Sequence, residues 1–477
     1  MEIIHGNFGK SAAATVIACG FLYISYGIFH NRIITEDSPA NPLKPVLLSS
    51  KVEKYDLGGS LEYLEDPKGI LSIDDAASPI NSDFWSISKW DTPNFGLTES
   101  VYWLRLTMKN DDNRDSEWLL ELGNPTIEEI EFYYRRPDAS FEIKKTGSIL
   151  PFSSREFDDS NFLFKTNVPM GSTAQFYIKA KSTNPMILPL TLYPFDSYLN
   201  LKNFKDHLNF LVFGMTTVMC VYSIILFASM KKLSYVYYMM HLISILVVQF
   251  SASGYSSRYF FTESNYLSTF LNPFFLSSSI FWLFLFSLDF LDIKKFSPRL
   301  FKYSMLFVIA SALVMGVSIS SLNRETMIYT AVLLIGSFSF LLLIGMYAFF
   351  YGNRTAKFYL FAFCPFLLGG ICTALWLLAA VPSSIIFKYG YQLGLIIELI
   401  FLSISLSDIF LQVIKNSKYR VNDLKTSLEN LKSSIETRVN QQISDMVTEN
   451  EMIKKIYEQK VLFFQNVSHE FKTPLTL

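Results

Sequence analysis

Residues 207–229 read HLNFLVFGMTTVMCVYSIILFAS, an apolar run without a single Asp, Glu, Lys or Arg. A run of this length can cross the hydrocarbon core of a membrane as a helix. Further runs of the same kind follow near residues 235–252, 271–291, 303–321, 327–350, 359–380 and 390–411. The sequence therefore predicts a seven-helix transmembrane domain over residues 207–411.

The composition of the whole chain fits a membrane protein and excludes several other classes. Half of the 477 residues are hydrophobic and 17% are charged, whereas about 25% of the residues in an average soluble domain are charged. The net charge of −1 gives no basic field, so no nucleic-acid partner is expected. No cysteine lies between residues 30 and 206, which excludes a disulfide framework or a cysteine-based zinc site there. We predict no metal site.

Two segments precede the spans. In the first, residues 1–30, an apolar run over residues 11–29 favours an uncleaved membrane anchor over a cleaved signal peptide. A sequence like a lipoprotein processing box surrounds Cys19, so lipidation stays an alternative.

In the second segment, residues 31–206, apolar and polar residues alternate in short bursts, which are separated by Pro, Gly, Asn and Asp. Period-two alternation with turn signals predicts an all-β sandwich.

The basic residues between the spans predict the orientation in the membrane. Clusters of Lys and Arg occupy alternate connections, near residues 231–232, 294–302 and 354–357. The other connections carry few basic residues, among them Arg258 and Arg324. The positive-inside rule places the first set in the cytoplasm and the β domain on the other side. With an N-terminal anchor, both chain ends are then cytoplasmic.

The sequence after the last span predicts one long helix that forms a coiled coil. Residues 395–473 contain neither Gly nor Pro. Over residues 412–460, apolar side chains follow the three-four spacing of a dimeric seam, at Val421, Leu424, Leu428, Leu431 and Ile435. Four-residue steps follow, a stutter that locally unwinds a supercoil. Either this rod only holds a homodimer together, or the stutter also tunes signalling; both interpretations stay open.

The most specific motif is at the end of the sequence, where residues 463–477 read FFQNVSHEFKTPLTL. Imidazole is neutral and nucleophilic near pH 7, which makes His469 a candidate phosphoryl acceptor. Glu470 can accept a hydrogen bond from the ring Nδ1–H and leave Nε2 free to attack a γ-phosphate. Thr473, one turn later, can position a water for the reverse hydrolysis. Pro474 bends the helix just beyond this site.

This run resembles the H-box of sensor histidine kinases from Phe464 to Leu475. The resemblance implies ATP-dependent autophosphorylation, with the phosphoacceptor domain starting at residues 461–477 and a response regulator as partner. ATP and Mg2+ are expected of a catalytic domain, since no ATP-binding boxes follow in this sequence and the chain as given could not act alone. A truncated product and a longer protein whose catalytic part is not included both stay open.

The upstream layout resembles the bacterial seven-transmembrane receptors with diverse intracellular signalling modules. Their outer domain commonly has a Trp-x-Arg strand followed by Leu-Gly-x-Pro, matched here by Trp103-Leu-Arg105 and Leu120-Glu-Leu-Gly-Asn-Pro125. The resemblance implies a jelly-roll sensor domain related to carbohydrate-binding modules. It also implies a place in the bacterial inner membrane, among membrane lipids, and a small ligand, with carbohydrates among the candidates.

Two weaker site candidates each have an alternative. Trp103 and Arg105 contact a sugar ligand, or they fill the sandwich core as strand aromatics usually do. Glu398 lies inside the seventh span, where an ionisable side chain is expensive. It is a relay or gating group, or it is bonded to neighbours such as Tyr391 or a serine.

We predict a multi-domain membrane protein with an anchor helix, a jelly-roll-like all-β sandwich, a seven-helix bundle and a coiled-coil helix ending in the phosphoacceptor helix. Its predicted function is that of a transmembrane sensor histidine kinase of a two-component system. The alternative is a non-catalytic seven-transmembrane receptor or a transporter. A retinal-based pump is excluded because residues 389–414 contain no lysine for a Schiff base.

Overall fold

A computed structural model describes residues 45–49, 52–111, 116–135, 140–263, 266–320 and 324–472. The predicted N-terminal anchor, Cys19 and Thr473 lie outside the described residues. The chain divides into two compact units, of which the first ends at Ile404 and the second begins at Ser405. The first unit contains a β domain and the membrane-spanning helices, and the second is helical.

The β domain is a sandwich of two mostly antiparallel sheets, as the alternation of apolar residues predicts. The larger sheet has the order β4-β3-β5-β10-β7-β8, with β1 parallel to one end of β5, and the smaller sheet has the order β2-β11-β6-β9. The strands are β1 (Val46–Leu48), β2 (Tyr55–Asp56), β3 (Glu62–Asp66), β4 (Ser86–Ile87), β5 (Val101–Asn110), β6 (Ser116–Leu122), β7 (Glu129–Arg135), β8 (Phe141–Thr146), β9 (Phe162–Val168), β10 (Thr173–Lys181) and β11 (Leu190–Pro194).

Strand β5 explains how one sequence pattern builds two cores. Side chains alternate across a strand, so Tyr102, Leu104 and Leu106 point between the sheets and join the main core. Trp103 and Arg105 therefore lie on the opposite face of the larger sheet. Part of that face is covered by the short helix α1 (Ile73–Ala77), which forms a second apolar cluster with the sheet.

The seven spans predicted from the sequence are confirmed. The helices long and apolar enough to cross a membrane contain Asn209–Met230, Leu233–Ala252, Asn272–Phe290, Pro298–Ser320, Arg324–Phe350, Thr355–Leu377 and Ile386–Ile404. The helices after α1 are α2 (Phe195–Met230), α3 (Leu233–Ala252), α4 (Tyr255–Tyr259), α5 (Tyr266–Phe290), α6 (Ile293–Phe296), α7 (Pro298–Ser320), α8 (Arg324–Phe350), α9 (Arg354–Leu377) and α10 (Ile385–Lys472). Helix α2 begins before its span because residues 195–206 contain no Gly or Pro that would break it.

The sixth and seventh spans pack backbone against backbone. A Cβ atom added at Gly394 in α10 would lie 2.5 Å from the carbonyl oxygen of Pro365 in α9. One added at Gly369 would lie 2.1 Å from the carbonyl oxygen of Gly390. Small residues allow such close approach between membrane helices, where apolar burial alone drives no association. These glycines therefore allow the close packing of α9 and α10.

Candidate functional site

The β domain contacts the membrane bundle through the segment of residues 152–161, which we term the docking loop. The backbone N–H of Phe152 donates to the carbonyl oxygen of Thr262 at 2.8 Å. The Arg258 guanidinium group pairs with Asp158, with Nε 2.9 Å from Oδ1. The loop is therefore tied to the connection between α3 and α5 by a hydrogen bond and an ion pair.

A third contact ties the docking loop to helix α2. The hydroxyl group of Tyr198 donates to Oδ2 of Asp159 at 2.8 Å, and both side chains are buried. Burial and the neighbouring Asp159 carboxylate raise the pKa of Tyr198 above its ordinary value. Tyr198 precedes the first membrane span in the same helix, so the loop contacts that helix directly.

Arg155 holds the docking loop in shape from inside. Its Nη1 atom donates to the carbonyl oxygens of Asp159 at 2.9 Å and Ser160 at 2.5 Å. The guanidinium group also lies over the rings of Phe152 and Phe162, 4.9 and 4.3 Å from their centroids. Burial lowers the pKa of Arg155 to about 10. The loop is thus organised around one buried cation.

Gly254 makes the closest backbone approach at this interface. Its φ of +78° lies in the left-handed region that favours glycine. A Cβ atom there would lie 2.6 Å from the carbonyl oxygen of Ser160 and 2.7 Å from Cβ of Pro125. Both the conformation and the space at this position therefore require glycine.

A second contact joins the β domain to the other outer connections of the bundle. The side-chain amide of Asn94 donates to the carbonyl oxygen of Trp376 at 2.5 Å. Nε of Arg324 donates to the carbonyl oxygen of Leu97 at 3.0 Å. The connections that hold Arg258, Arg324 and the end of α9 therefore lie on the side of the bundle that carries the β domain.

Residues of β8 and β9, the edge strands of the two sheets, line two adjoining pockets of about 230 and 300 Å³, which share Lys144 and Glu156 and which we together term the groove. Lys144 and Glu156 form an ion pair across it at 2.8 Å. The lining includes Ser154, Arg155 and Glu156 of the docking loop, so a molecule bound in the groove would touch the segment that contacts the bundle.

Trp103 and Arg105 lie on one face of the larger sheet, as the alternation predicts. Trp103 is fully buried, and its ring lies 5.5 Å from that of Tyr133. Nε of Arg105 pairs with Glu62 at 2.6 Å, and its guanidinium group lies 4.5 Å from the ring centre of Trp85. Trp103 thus packs within the domain and Arg105 pairs within it. These roles correspond to the second of the two interpretations drawn from the sequence, in which neither side chain contacts a ligand directly.

Glu398 lies in the seventh span and is completely buried. Neither carboxylate oxygen has a hydrogen-bond partner of normal geometry among the described residues. The neighbour anticipated from the sequence, Tyr391, is half-buried, and its buried hydroxyl group has no hydrogen-bond partner in that part of the chain.

The candidate phosphoryl acceptor lies in the second compact unit. His469 is exposed near the end of α10, and Glu470 follows it in the same helix. Thr473 lies outside the described residues, so the geometry of the three predicted catalytic residues is not part of the structure. Their assignment stays a prediction from the sequence.

Comparison with known families assigns both parts of the first unit. The family described as "7TMR-DISM extracellular 2" matches residues 58–194, which cover most of the sandwich. The family described as "7TM diverse intracellular signalling" matches residues 205–408, the bundle. This chain carries the extracellular and membrane domains of these seven-transmembrane receptors. The receptor is thus a multi-pass membrane protein of a sensing family, and no curated protein matches it.

Sequence reasoning missed the residues that join the two domains of the receptor. Asp158 and Asp159 are adjacent acidic residues in a loop, and Arg258 stands in a connection with few other charges. Opposite charges in two segments predict an ion pair only when the segments are known to lie next to each other. That knowledge comes from the fold and not from the sequence.

Proposed function

We propose that this receptor is a transmembrane sensor histidine kinase that detects a small polar ligand with its β domain. One observation supports the proposed sensing route: the docking loop lines the groove and also contacts the bundle. The ion pair of Arg258 with Asp158 and the hydrogen bond of Tyr198 with Asp159 connect it to two parts of the bundle. Ligand binding that shifts this loop would change the packing of the helices it touches.

The groove supports a polar ligand. Its walls carry Lys144, Lys165 and Glu156, and the half-buried ring of Tyr134 adds apolar surface. Such a mixture suits a molecule with hydroxyl or carboxylate groups and an apolar face, which includes carbohydrates. The two pockets, of about 230 and 300 Å³, are at the small end of ligand sites.

The output that we propose is phosphoryl transfer to His469. The H-box sequence supports this assignment, together with the position of the histidine on a helix that continues from the seventh span. Glu470 would orient the imidazole ring, and Thr473 would position water for dephosphorylation. ATP and Mg2+ would be held by a catalytic domain in cis or from a partner, and a response regulator would receive the phosphoryl group. The membrane would be the bacterial inner membrane, with the histidine in the cytoplasm.

Phosphorylation of the receptor, supplied with an ATP-binding domain, tests this output. With ATP labelled at the γ-phosphate, we expect acid-labile, base-stable label that disappears in His469→Gln. The matched control is His207→Gln, because His207 lies at the start of the first span and is exposed. Label that persists in His469→Gln would contradict the assignment, and absence of label in the unmodified protein would favour a non-catalytic receptor.

Binding of candidate ligands to the whole receptor tests the sensing route separately. We expect a ligand from a panel of sugars and small organic anions to bind the wild type and to bind Lys144→Ala at least tenfold more weakly, because Lys144 lies in the groove. Lys89→Ala, at a lysine of the β domain that does not line the groove, should bind like the wild type. Equal binding by the two variants would exclude the groove.

A further inference from the structure

Two connections of the bundle lie on the side opposite the β domain. One follows α5 and contains α6, and the other is the turn of residues 351–353 between α8 and α9. Helix α8 begins and helix α9 ends beside the β domain, at Arg324 and Trp376, so the turn between them is at the far end of the bundle. Helix α5 follows the connection that holds Arg258, which also contacts the β domain, so α5 ends on the far side too.

These two connections contact each other through a hydrogen bond and through aromatic rings. The side-chain amide of Asn353 donates to the carbonyl oxygen of Leu291 at 2.9 Å. The ring of Phe296 in α6 lies 6.3 Å from that of Tyr347 and 6.0 Å from that of Tyr351. The charged residues of the two connections are therefore held on one part of the surface.

Nearly all of these charged residues are basic. Residues 293–302 and 350–357 contain six lysines and arginines and no aspartate or glutamate. Asp289 and Asp292 precede them, and the carboxylate of Asp292 lies 3.4 Å from Nζ of Lys295 in an exposed pair that water screens. The exposed basic residues, which we term the basic patch, are Lys294, Lys295, Arg299, Lys302 and Lys357.

Exposed aromatic side chains accompany the basic patch. Tyr303, Phe350 and Tyr351 are all exposed and lie near the ends of membrane spans, where aromatic side chains reach the level of the lipid head groups. Nζ of Lys294 lies 5.9 Å from the ring centre of Phe301. The surface thus combines positive charge for a head group with apolar area for the first part of an acyl chain.

Membrane orientation alone does not explain this arrangement. Basic residues in the connections orient the chain during insertion, and that role needs no particular placement in the folded protein. Lys231 and Lys232 serve it in a connection of their own. The basic patch differs because two basic connections are joined by direct contacts at the depth where lipid phosphates are the most concentrated anions.

We propose that the basic patch binds the head group of an anionic phospholipid in the leaflet opposite the β domain. Arginine binds phosphate oxygens through two parallel bonds, and lysine binds them as a point charge. Arg299 of one connection and Lys357 of the other would share the phosphate group, as basic pockets between membrane helices do. A bound lipid would join the two connections and restrain α7, α8 and α9 at this end of the bundle.

The experiment measures lipid binding to the whole purified protein in detergent by native mass spectrometry. Phosphatidylglycerol and phosphatidylcholine with identical acyl chains are compared, and we expect the wild type to retain phosphatidylglycerol preferentially. The double variant Arg299→Gln with Lys357→Gln should bind it about tenfold more weakly, because each basic residue near a membrane surface adds to the attraction of anionic lipid. Lys231→Gln with Lys232→Gln removes the same charge from another connection on the same side and should bind like the wild type.

Three results overturn the proposal. Equal binding of the two lipids would show that the charge of the head group is not recognised. An equal loss in both double variants would show that only the total positive charge of this side matters. Displacement of bound phosphatidylglycerol by an equal concentration of glycerol phosphate would assign the patch to a soluble phosphate and not to a lipid.

A measurement on the wild type alone covers the case in which the Arg299 and Lys357 double variant does not fold. Phosphatidylglycerol with a photoreactive group is crosslinked to the protein in membranes, and the labelled peptides are identified by mass spectrometry. We expect label within residues 293–303 and 347–357, and label confined to other peptides overturns the proposal. The outcome is independent of the kinase assignment, because neither measurement involves phosphorylation.

Discussion

Arg258 and Asp158 form a two-point contact between the bundle and the β domain, with Nε 2.9 Å from Oδ1 and Nη2 3.2 Å from Oδ2. Parallel bonds of this kind fix the relative orientation of the two groups as well as their distance. The side chain of Asp158 is 75% exposed, so water screens the pair and its contribution to stability is small. We infer that the pair sets the position of the docking loop more than it stabilises the fold.

Charge reversal at this pair tests that role. Arg258→Asp should free the docking loop, because it replaces attraction to Asp158 with repulsion, while the free energy of unfolding falls by only about 1 kcal/mol or less. Hydrogen exchange of the amides of residues 152–161 measures the effect and should become faster. The double variant Arg258→Asp with Asp158→Arg should restore slow exchange, and failure of this rescue would show that the pair does not position the loop.

Gly254→Ala should disturb the same interface by a different mechanism. The left-handed conformation costs an alanine about 1–2 kcal/mol, and its Cβ atom would meet the carbonyl oxygen of Ser160. We expect a lower unfolding temperature and faster amide exchange in the docking loop. Gly214→Ala in α2 is the control, since no atom lies within 4 Å of the added Cβ. Equal effects of both variants would argue against a specific contact at Gly254.

The Tyr198–Asp159 pair predicts a loss of stability at high pH. The folded protein keeps the tyrosine proton because burial raises its pKa, whereas the unfolded chain releases it above about pH 10. The unfolded state then binds fewer protons, so the free energy of unfolding is unaffected below about pH 10 and falls as the pH rises further. Tyr198→Phe should flatten this decline in thermal unfolding, and Tyr419→Phe, at an exposed residue of α10, should not.

The sequence predicts the spans and the sandwich because both follow from local periodicity. An apolar run of about twenty residues is long enough to cross a membrane as a helix, and period two assigns Trp103 and Leu104 to opposite faces of β5. Periodicity does not reveal what covers each face. Helix α1 and Trp85 lie far from β5 in sequence, and they bury Trp103 in a second core that only the fold brings together.

A substitution distinguishes that core role of Trp103 from direct ligand contact. Trp103→Ala should lower the free energy of unfolding by about 3–5 kcal/mol, the usual cost of removing a buried aromatic side chain. Trp90→Ala, at a tryptophan that is 43% exposed, should cost much less. If Trp103→Ala instead keeps its stability and loses only ligand binding, the residue belongs to a binding site.

The buried carboxyl group in the bundle was predictable in part. Glu398 stands out in the sequence because it is an acid inside an apolar run, and the structure buries it completely. Which side chains of the other helices pack around it could not be predicted, since side chains that meet between helices leave no mark in local sequence.

The second compact unit carries a stripe of exposed apolar side chains that predicts a parallel homodimer. Leu424, Leu428 and Leu431 are 63%, 65% and 58% exposed in the single chain, and water-facing stripes of this kind are normally covered by a partner. Replacing all three with Asp should abolish crosslinking between protomers in membranes, because six charges would then face one another across the seam. The triple replacement of Thr426, Asn430 and Ser433 with Asp adds the same charge away from the seam and should leave crosslinking intact. Unchanged crosslinking in the leucine variant would exclude this seam as the dimer contact.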